Sequence, residues 1–478
     1  MVSAMSSMVS WRPWKQVNSY ACQPKVNEKH VWQKTENNTM ETEVTTEQVT
    51  DAKISGYGSH LQVRFITKQE CYSVGDTPFS VPASVGVSEL SSLINKLLDR
   101  ESEDSPVIDF DFLIDGEFLR VALGHHLEEK STSTESVVEI EYLEKHPAPK
   151  PAGSILHDDW VSCVQGANNR IVTGSYDNNV RLWTEDGENL VIMHYHSDPV
   201  KTVTWIKRDD AVNLLVSGSM DQTLLIWEWD EQTKKHKCLH SCRGHAKSVE
   251  TVAVDQSQTK IASGSMDSML KIWSAVPGGD DEEVDEIQHK KARTDGHKPL
   301  TRTPLRTFDG HTQGISSLVW LDEKRICTAS WDHTMKIWDM EQEEQVTTLT
   351  GNKVFHSVAF SPLSNLLATG SSDRHIRLWD PRQNDGLLVK SSLSHHTGWV
   401  SSVAWSPDNA NLLISGSYDK TLKLWDTRSP KAPLYNMSGL EDKILAVDWS
   451  QPELMLCGGA DNALHIFKAA DALQAAES

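Results

Sequence analysis

Residues 174–183, GSYDNNVRLW, are the first of seven related ten-residue segments. Each segment has an aspartate six residues before a terminal aromatic residue, and apolar residues one and three positions before that aromatic residue. The aspartates are Asp177, Asp221, Asp267, Asp332, Asp373, Asp419 and Asp461. The aromatic residues are Trp183, Trp227, Trp273, Trp338, Trp379, Trp425 and Phe467. Recurrence at intervals of roughly 40–45 residues predicts a repeat architecture.

The residue types of the segment indicate strands joined by a tight turn. A short carboxylate suits such a turn because it accepts hydrogen bonds from backbone N–H groups. The apolar positions are typical of strands covered on both faces by neighbouring sheets. The pattern resembles the WD40 repeat, in which each copy forms one four-stranded blade of a β-propeller. The expected fold is therefore all-β, a seven-bladed propeller over residues 154–470.

The resemblance also implies a buried polar network in each blade, in which the aspartate holds a histidine about twenty residues upstream. That histidine meets a serine and the tryptophan, and such a cluster is stable only if every member is hydrogen-bonded. The candidate histidines are His157, His196, His245, His311 and His396. The serines assigned to the network stand two residues before the aspartate and are Ser175, Ser219, Ser265, Ser330, Ser371 and Ser417.

Two repeats depart from the pattern. The fifth has Asn352 where a histidine is expected. The seventh has Glu441 at that position and Gly459 in place of the serine, in addition to its terminal Phe467. We expect these two blades to be the least tightly specified.

The chain before the repeats divides into a tail and a small domain. Residues 1–58 are polar and lack periodicity, which predicts disorder, although a start-site artefact and a partner motif built on the tail tryptophans are alternatives. Residues 59–145 predict strand–strand–helix–strand–strand–strand, the ubiquitin-like β-grasp (α+β) order. The helix is expected over residues 87–98 and the fourth strand over EFLRVAL, residues 117–123.

Three further segments complete the predicted organisation. A proline-rich linker covers residues 146–153, and residues 154–156 are expected to supply the outer strand of the last blade and so close the ring. Residues 277–302 form a charged insertion, predicted as a surface loop. Its basic half is either a nuclear localisation signal or a solvated loop. Residues 471–478 are a short C-terminal tail.

Composition and motifs argue against several functional classes. The formal net charge of −21 disfavours nucleic-acid capture by the whole surface, so direct RNA contact is secondary. Seven scattered cysteines indicate a reducing compartment, and CLHSC (residues 238–242) favours an outer strand over a metal site. No apolar run reaches about 18 residues and no signal segment is apparent, so neither a membrane nor secretion is expected. Without a Walker A, GxSxG or HExxH motif, we expect no enzyme, no catalytic residue and no cofactor.

Longer stretches resemble known families. FDFLIDGEFLR (residues 110–120) and ESVVEIEYLEKHPAP (residues 135–149) resemble the NLE-type domain of large-subunit ribosome assembly factors. Together with HDDWVSCVQGANNRIVTGSYD (residues 157–177) and residues 350–382, they resemble the WD-repeat subunits of the pescadillo–BOP–WD-repeat (PeBoW) complex. The similarity runs from about residue 60 to the C-terminus. The other NLE-bearing family, the Notchless type, is expected to have eight blades, so seven repeats argue against it.

The resemblance implies a function in the nucleus, nucleolus and nucleoplasm. Such factors sit on pre-60S particles and serve large-subunit rRNA maturation, with pescadillo as a partner and the propeller held by the BOP-type subunit. The AAA ATPase midasin grips the β-grasp domain and strips the factor from the particle. The gripped carboxylate falls on Glu135, which would complete a magnesium shell in midasin, a role that suits a carboxylate oxygen. The other reading of Glu135 is an exposed loop residue without a role. The chain itself is expected to hold no metal.

The main rival is a substrate receptor of a cullin-based ubiquitin ligase. Residues 379–382 and 425–428 both fit the WDxR box of such receptors. The arginine of each box is equally well explained as an ordinary residue of the propeller rim.

Overall fold

The computed structural model describes residues 60–98, 107–130, 136–208, 212–276, 299–382 and 389–469. The predicted tails, residues 1–58 and 471–478, lie outside these ranges. The described residues form a β-grasp domain followed by a β-propeller of seven blades, as predicted. Neither of the two described α-helices is long and apolar enough to cross a membrane.

The β-grasp domain packs one mixed sheet against two helices. Its elements are β1 (His60–Ile66), a 3-10 helix (Glu70–Tyr72), β2 (Phe79–Pro82), α1 (Val87–Leu97), β3 (Phe110–Ile114), β4 (Glu117–Phe118), α2 (Leu123–Glu129) and β5 (Val138–Glu144). The strand order is β2-β1-β5-β3-β4, and β1 pairs with β5 in parallel. Alternate residues of β1 face inward, so Val63 packs in the same buried core as Leu90 and Ile94 of α1.

The prediction of a strand over residues 117–123 is wrong beyond Phe118. After the turn at Asp115 and Gly116, β4 is only two residues long, and the chain enters α2 at Leu123. Leu123 and Leu127 are four residues apart and fully buried, the spacing of one helix face. Only Leu123 of the predicted strand lies in α2, and burial of this helix face explains why the chain leaves the sheet here.

Each propeller blade is a four-stranded antiparallel sheet except blade 2, which gains a fifth strand. The strands are, for blade 1, Val161–Ala167, Arg170–Ser175, Asn179–Thr184 and Asn189–His194; for blade 2, Val200–Arg208, Val212–Ser219, Thr223–Asp230, Lys235–Arg243 and Leu300–Arg302; for blade 3, Val249–Val254, Lys260–Ser265, Leu270–Ser274 and Arg306–Phe308; for blade 4, Ile315–Trp320, Arg325–Ser330, Thr334–Asp339 and Glu344–Thr350; for blade 5, Phe355–Ser361, Leu366–Ser371, His375–Trp379 and Val389–Ser394; for blade 6, Val400–Trp405, Leu412–Ser417, Leu422–Asp426 and Tyr435–Met437; and for blade 7, Ile444–Gln451, Leu454–Gly459, Ala463–Lys468 and Lys150–Leu156. The CLHSC run lies in the outer strand Lys235–Arg243, as predicted.

The glycine of the repeated segment is explained by contact between neighbouring blades. A Cβ on Gly174 would lie 2.6 Å from Cγ1 of Val200, which belongs to the first strand of the next blade. The same relation recurs in blades 2, 3, 5 and 6 and ends with Gly458 of blade 7 against Val161 of blade 1, whereas blade 4 has Ala329 at this position. Because such separations are too short for a real Cβ, a larger residue at Gly174 would require the neighbouring strand of blade 2 to shift.

The ring closes by pairing residues from both ends of the propeller, as predicted. Lys150–Leu156 forms the outer strand of blade 7 and runs antiparallel to Ala463–Lys468. The strand begins at Lys150, so the linker is shorter than the predicted range 146–153. Pro151 sits opposite Phe467 beside a register shift, in an outer strand where its missing N–H is tolerated.

The charged insertion ends inside blade 2. Residues 277–298 lie outside the described residues, but Leu300–Arg302 pairs in parallel with Lys235–Arg243. The loop predicted over residues 277–302 therefore includes one strand at its end. The buried guanidinium of Arg302 donates to the carbonyl oxygens of Ser274 (2.7 Å) and Val276 (3.2 Å), so it ties this strand to blade 3.

Candidate partner-binding site

Glu135, the predicted partner-binding residue, lies outside the described residues, together with residues 131–134. Before it, α2 ends at Glu129 and is followed by Lys130. After it, β5 begins at Val138 and forms the central strand of the sheet, between β1 and β3. The segment that contains Glu135 thus joins a helix end to the central strand.

An ion cluster connects the β-grasp domain to blade 6, with a largely covered Glu117 between a largely covered and an exposed lysine. Glu117 on β4 binds Nζ of Lys130 at 2.8 Å and also pairs with Nζ of Lys431 in the propeller. Burial opposes ionisation of Glu117, but hydrogen bonds from the two lysines outweigh that effect and keep its pKa below the ordinary value. Sequence reasoning missed this contact because no pattern links two charges more than 300 residues apart.

Backbone contacts reinforce the junction between the two domains. The amide of Phe118 donates to Oγ of Ser429 at 3.3 Å, and both residues are buried. Gly116 has a left-handed backbone conformation, with φ of 74°. A Cβ at this position would lie 3.5 Å from the carbonyl oxygen of Arg428. Three successive residues of the β3–β4 hairpin therefore contact the segment that follows the third strand of blade 6.

The two WDxR boxes differ in their surroundings. Arg382 is exposed and its guanidinium pairs with Asp380 at 2.9 Å. Arg428 pairs with the buried carboxylate of Asp426 and helps to line a cavity of about 300 Å³ between the propeller and the β-grasp domain. Each arginine thus bonds the aspartate two residues before it, which is the geometry of a rim turn, and the second box is partly covered by the N-terminal domain.

The repeat aspartates all occupy the turn between the second and third strands of their blade. In every blade an Oδ1 atom accepts a hydrogen bond from the backbone N–H two residues later, at 2.9–3.1 Å. In blades 2, 3, 4 and 6 the second oxygen also binds Nδ1 of the upstream histidine, at 2.7–2.9 Å. Four of the five candidate histidines therefore meet their aspartate.

The assignment of the network serines is wrong. The hydroxyl that accepts from the tryptophan indole stands four residues before the aspartate, at Thr173, Ser217, Ser263, Thr328, Thr369 and Ser415, and in every one of these blades except blade 5 it also meets the histidine. Trp227 lies opposite Leu215, so its diagonal neighbour on the same face is Ser217 and not Ser219. Ser219 instead accepts from the N–H of Asp221 and donates to backbone carbonyls. A hydroxyl ten residues before each tryptophan was the available signal.

Blades 1, 5 and 7 replace the histidine with a residue four positions after the aspartate. Asp177 pairs with Arg181, and Asp373 binds Arg377 at 2.5 Å. Asp461 binds Nε2 of His465 at 2.9 Å. His157 of blade 1 bonds Thr173 and the carbonyl of Ile155, and its imidazole makes no bond to Asp177. The two blades expected to be least specified, blades 5 and 7, therefore still give their turn carboxylate a side-chain partner.

The charge states of these networks favour structure over catalysis. Burial opposes ionisation of Asp267 and Asp332, but hydrogen bonds, including those from His245 and His311, outweigh it and lower each pKa to about 2. Burial also lowers the pKa of His396. Burial likewise lowers the pKa of His311, so in blades 4 and 6 the neutral imidazole beside the turn carboxylate is favoured. Within the described ranges, no group of three histidine, cysteine or acidic side chains is placed to bind a metal ion.

Comparison with known proteins identifies both domains. The model of the NLE (NUC135) domain matches residues 61–127. The WD domain, G-beta repeat model matches residues 150–184, 187–228, 236–274, 302–339, 343–380 and 388–426. The chain is 48% identical over 411 residues to the ribosome biogenesis protein WDR12 homolog of Nematostella vectensis, covering 85% of this chain and 99% of the relative. It is 46% identical over 423 residues to the Ixodes scapularis homolog, with 86% and 99% covered.

Proposed function

Because the chain belongs to the WDR12 family of ribosome biogenesis proteins, we propose that it is a non-enzymatic assembly factor of the large (60S) ribosomal subunit. In this proposal it acts within a PeBoW complex, with a BOP-type subunit on the propeller and pescadillo as a further partner. It works on pre-60S particles in the nucleolus and nucleoplasm and supports large-subunit rRNA maturation. The observation that carries the proposal is an NLE domain directly before seven blades, over almost the whole length of the relatives.

The β-grasp domain has a second role in this proposal, as the part gripped by midasin. Glu135 would give one carboxylate oxygen to a magnesium ion held by midasin, which suits a hard cation with an open position. ATP-driven pulling on the domain would then remove the chain from the particle. Support comes from the attachment of the domain to the propeller through β4 and blade 6, since a pull on one domain is then transmitted to the other.

The grip is tested by magnesium-dependent pull-down of the full-length chain with the metal-binding domain of midasin. We expect Glu135→Ala to abolish retention, because no other atom would fill the open position on the metal. Glu135→Asp should weaken retention, since the shorter side chain misplaces the oxygen. Glu129→Ala is the matched control: this carboxylate is exposed at the end of α2 and should be dispensable. Normal retention of Glu135→Ala would refute the assignment.

Membership of the assembly complex is tested separately. The tagged full-length chain should co-purify with pescadillo, the BOP-type subunit and pre-60S particles. Its depletion should cause precursors of the large-subunit rRNAs to accumulate, and Glu135→Ala should still bind the BOP-type subunit. Co-purification with a cullin and its adaptor, without pre-60S particles, would instead favour the ubiquitin-ligase reading of the WDxR boxes.

A further inference from the structure

A continuous series of five aromatic rings and one lysine side chain follows the mouth of the propeller across blades 5, 6, 7 and 1. We call it the aromatic arc, and its members are His356, Trp399, Tyr418, Lys443, Trp160 and Tyr176. Three of its rings are strongly exposed: Trp160 at 38%, Trp399 at 49% and Tyr418 at 37%. Clustered exposed rings are unusual on a soluble surface and mark interaction sites.

The members of the arc touch one another in order. His356 stacks on Trp399 with ring centroids 5.5 Å apart, and Trp399 stacks on Tyr418 at 5.6 Å. The ammonium group of Lys443 then lies 5.4 Å from the Tyr418 ring and 5.5 Å from the Trp160 ring. The stacking fixes the rings in place, so a ligand would meet a preformed surface and lose little conformational entropy on binding.

Lys443 is the charged centre of this surface. Within the described residues its ammonium group forms two cation–π contacts and no ion pair. Lys201, the next lysine along the mouth, differs because Glu250 neutralises it at 3.4 Å and its Nζ donates to Tyr176. The arc therefore offers one uncompensated positive charge between exposed rings.

The arc lies on the face opposite the β-grasp contact. Trp160, Trp399 and Lys443 each directly precede the first strand of a blade, and Tyr176 and Tyr418 directly follow a second strand. In an antiparallel blade these two positions share one end, whereas Ser429 follows a third strand and lies at the other end. A ligand on the arc would leave the β-grasp domain and its junction untouched.

We infer that the aromatic arc is a docking site for an extended peptide segment of a protein partner. The segment places a carboxylate on Lys443 and an apolar side chain on the exposed face of Trp399. Charge decides between this ligand and single-stranded RNA, whose stacked bases would also suit the rings. An RNA track needs several cations for successive phosphates, but the arc has one free lysine on a chain of net charge −21.

The test presents a phage library of random twelve-residue peptides to the immobilised full-length chain. Enriched peptides are expected to share an acidic residue next to an apolar one. One such peptide, synthesised with a fluorescent label, is then measured by fluorescence anisotropy. We expect Trp399→Ala and Lys443→Met each to weaken binding at least about tenfold, as for central interface residues. Lys443→Arg, which keeps the charge, should bind within about threefold of the unchanged chain.

Trp331→Ala is the matched control, because Trp331 is an equally exposed tryptophan of the same face on blade 4, outside the arc. It should leave peptide binding unchanged, and all variants should melt at the temperature of the unchanged chain. No shared sequence among the enriched peptides, a basic one, or an equal loss with Trp331→Ala would overturn the inference. Tighter binding of a labelled twelve-residue oligouridine than of the peptide, lost in Trp399→Ala, would overturn it in favour of RNA.

Discussion

The hydroxyl of Ser263 is expected to be worth more to stability than any other single serine of blade 3. Its Oγ accepts from Nε1 of Trp273 at 2.8 Å and contacts Nε2 of His245 at 2.7 Å, and all three residues are buried. The indole N–H can only donate. In the tautomer whose Nδ1 donates to the carboxylate of Asp267, Nε2 of His245 accepts, so the serine hydroxyl proton points to the imidazole. Ser263→Ala therefore leaves one buried donor and one buried acceptor without a partner.

The magnitude follows from those two orphaned groups. Each buried unsatisfied polar group costs about 1–3 kcal/mol, and loss of the buried hydroxyl itself offsets part of that cost, so we expect a net loss of about 3 kcal/mol. A cooperative unit of roughly 300 residues has a melting entropy of roughly 0.6 kcal/mol/K, so the melting temperature should fall by about 5 °C. Differential scanning calorimetry of the full-length chain at neutral pH measures this shift.

Two variants serve as controls. Ser263→Thr should melt within about 1 °C of the unchanged chain, because threonine holds the equivalent position in blades 1, 4 and 5. Ser265→Ala removes bonds to backbone groups only, namely the carbonyl of Lys247 and the amide of Asp267, and should cost about 1 kcal/mol. A larger effect at Ser265 than at Ser263 would refute the assignment of the network hydroxyl.

Three further predictions concern the insertion, acid sensitivity and the domain junction. Replacing residues 277–298 with a short glycine–serine linker should leave the melting temperature unchanged in calorimetry, whereas Arg302→Leu should lower it by several degrees because two carbonyls lose their donor. Burial lowers the pKa of His157 to about 4, below its unfolded value of 6.5. Its contribution to the free energy of unfolding, up to roughly 3 kcal/mol, is therefore present above pH 6.5 and lost as the pH falls towards 4. His157→Gln should flatten the pH dependence of stability in this range. Lys431→Glu should repel Glu117 and speed amide hydrogen exchange of β4 at least about tenfold, and an unchanged rate would show that the ion pair does not hold the junction.

The propeller was predictable because its signals are local and repeated. The fixed spacing of aspartate and aromatic residue, together with strands that are apolar on both faces, determines both the blade and the number of blades. Ring closure by residues 154–156 also followed, since an unpaired outer strand would leave an exposed sheet edge. These inferences needed no knowledge of which residues face one another across a blade.

The hydroxyl of the network could not be assigned without knowing which residues face one another across a blade. Blade 2 offers a serine both two and four residues before Asp221, on the same face of one strand. Only the pairing register, with Leu215 opposite Trp227, shows that Ser217 is within reach of the indole. In the same way, the partner of Asp373 is Arg377, four residues later in the chain, and not a residue at the upstream position that Asn352 occupies.

The junction between the domains could not be predicted, because its two sides are distant in sequence and carry ordinary surface residues. Glu117, largely covered, and Lys431, exposed, become neighbours only after both domains have folded and met. The strand expected over residues 117–123 is short for a related reason: Leu123 and Leu127 pack one helix face into the buried core, a contact that the residues of EFLRVAL alone do not reveal.

The junction also bears on how a pull on the β-grasp domain, as proposed for midasin, would act on the propeller. The domain is connected to the ring through Lys150–Leu156, the strand that closes it. A load on this connection would reach the pairing with Ala463–Lys468 from the end next to the β-grasp domain. Hydrogen bonds would then break one after another, and the ring would open at its closure. The Glu117–Lys431 contact attaches the same domain to blade 6, so part of the load bypasses the closing strand while that contact holds. The propeller can therefore be withdrawn as an intact ring as long as its partners release it before this junction yields.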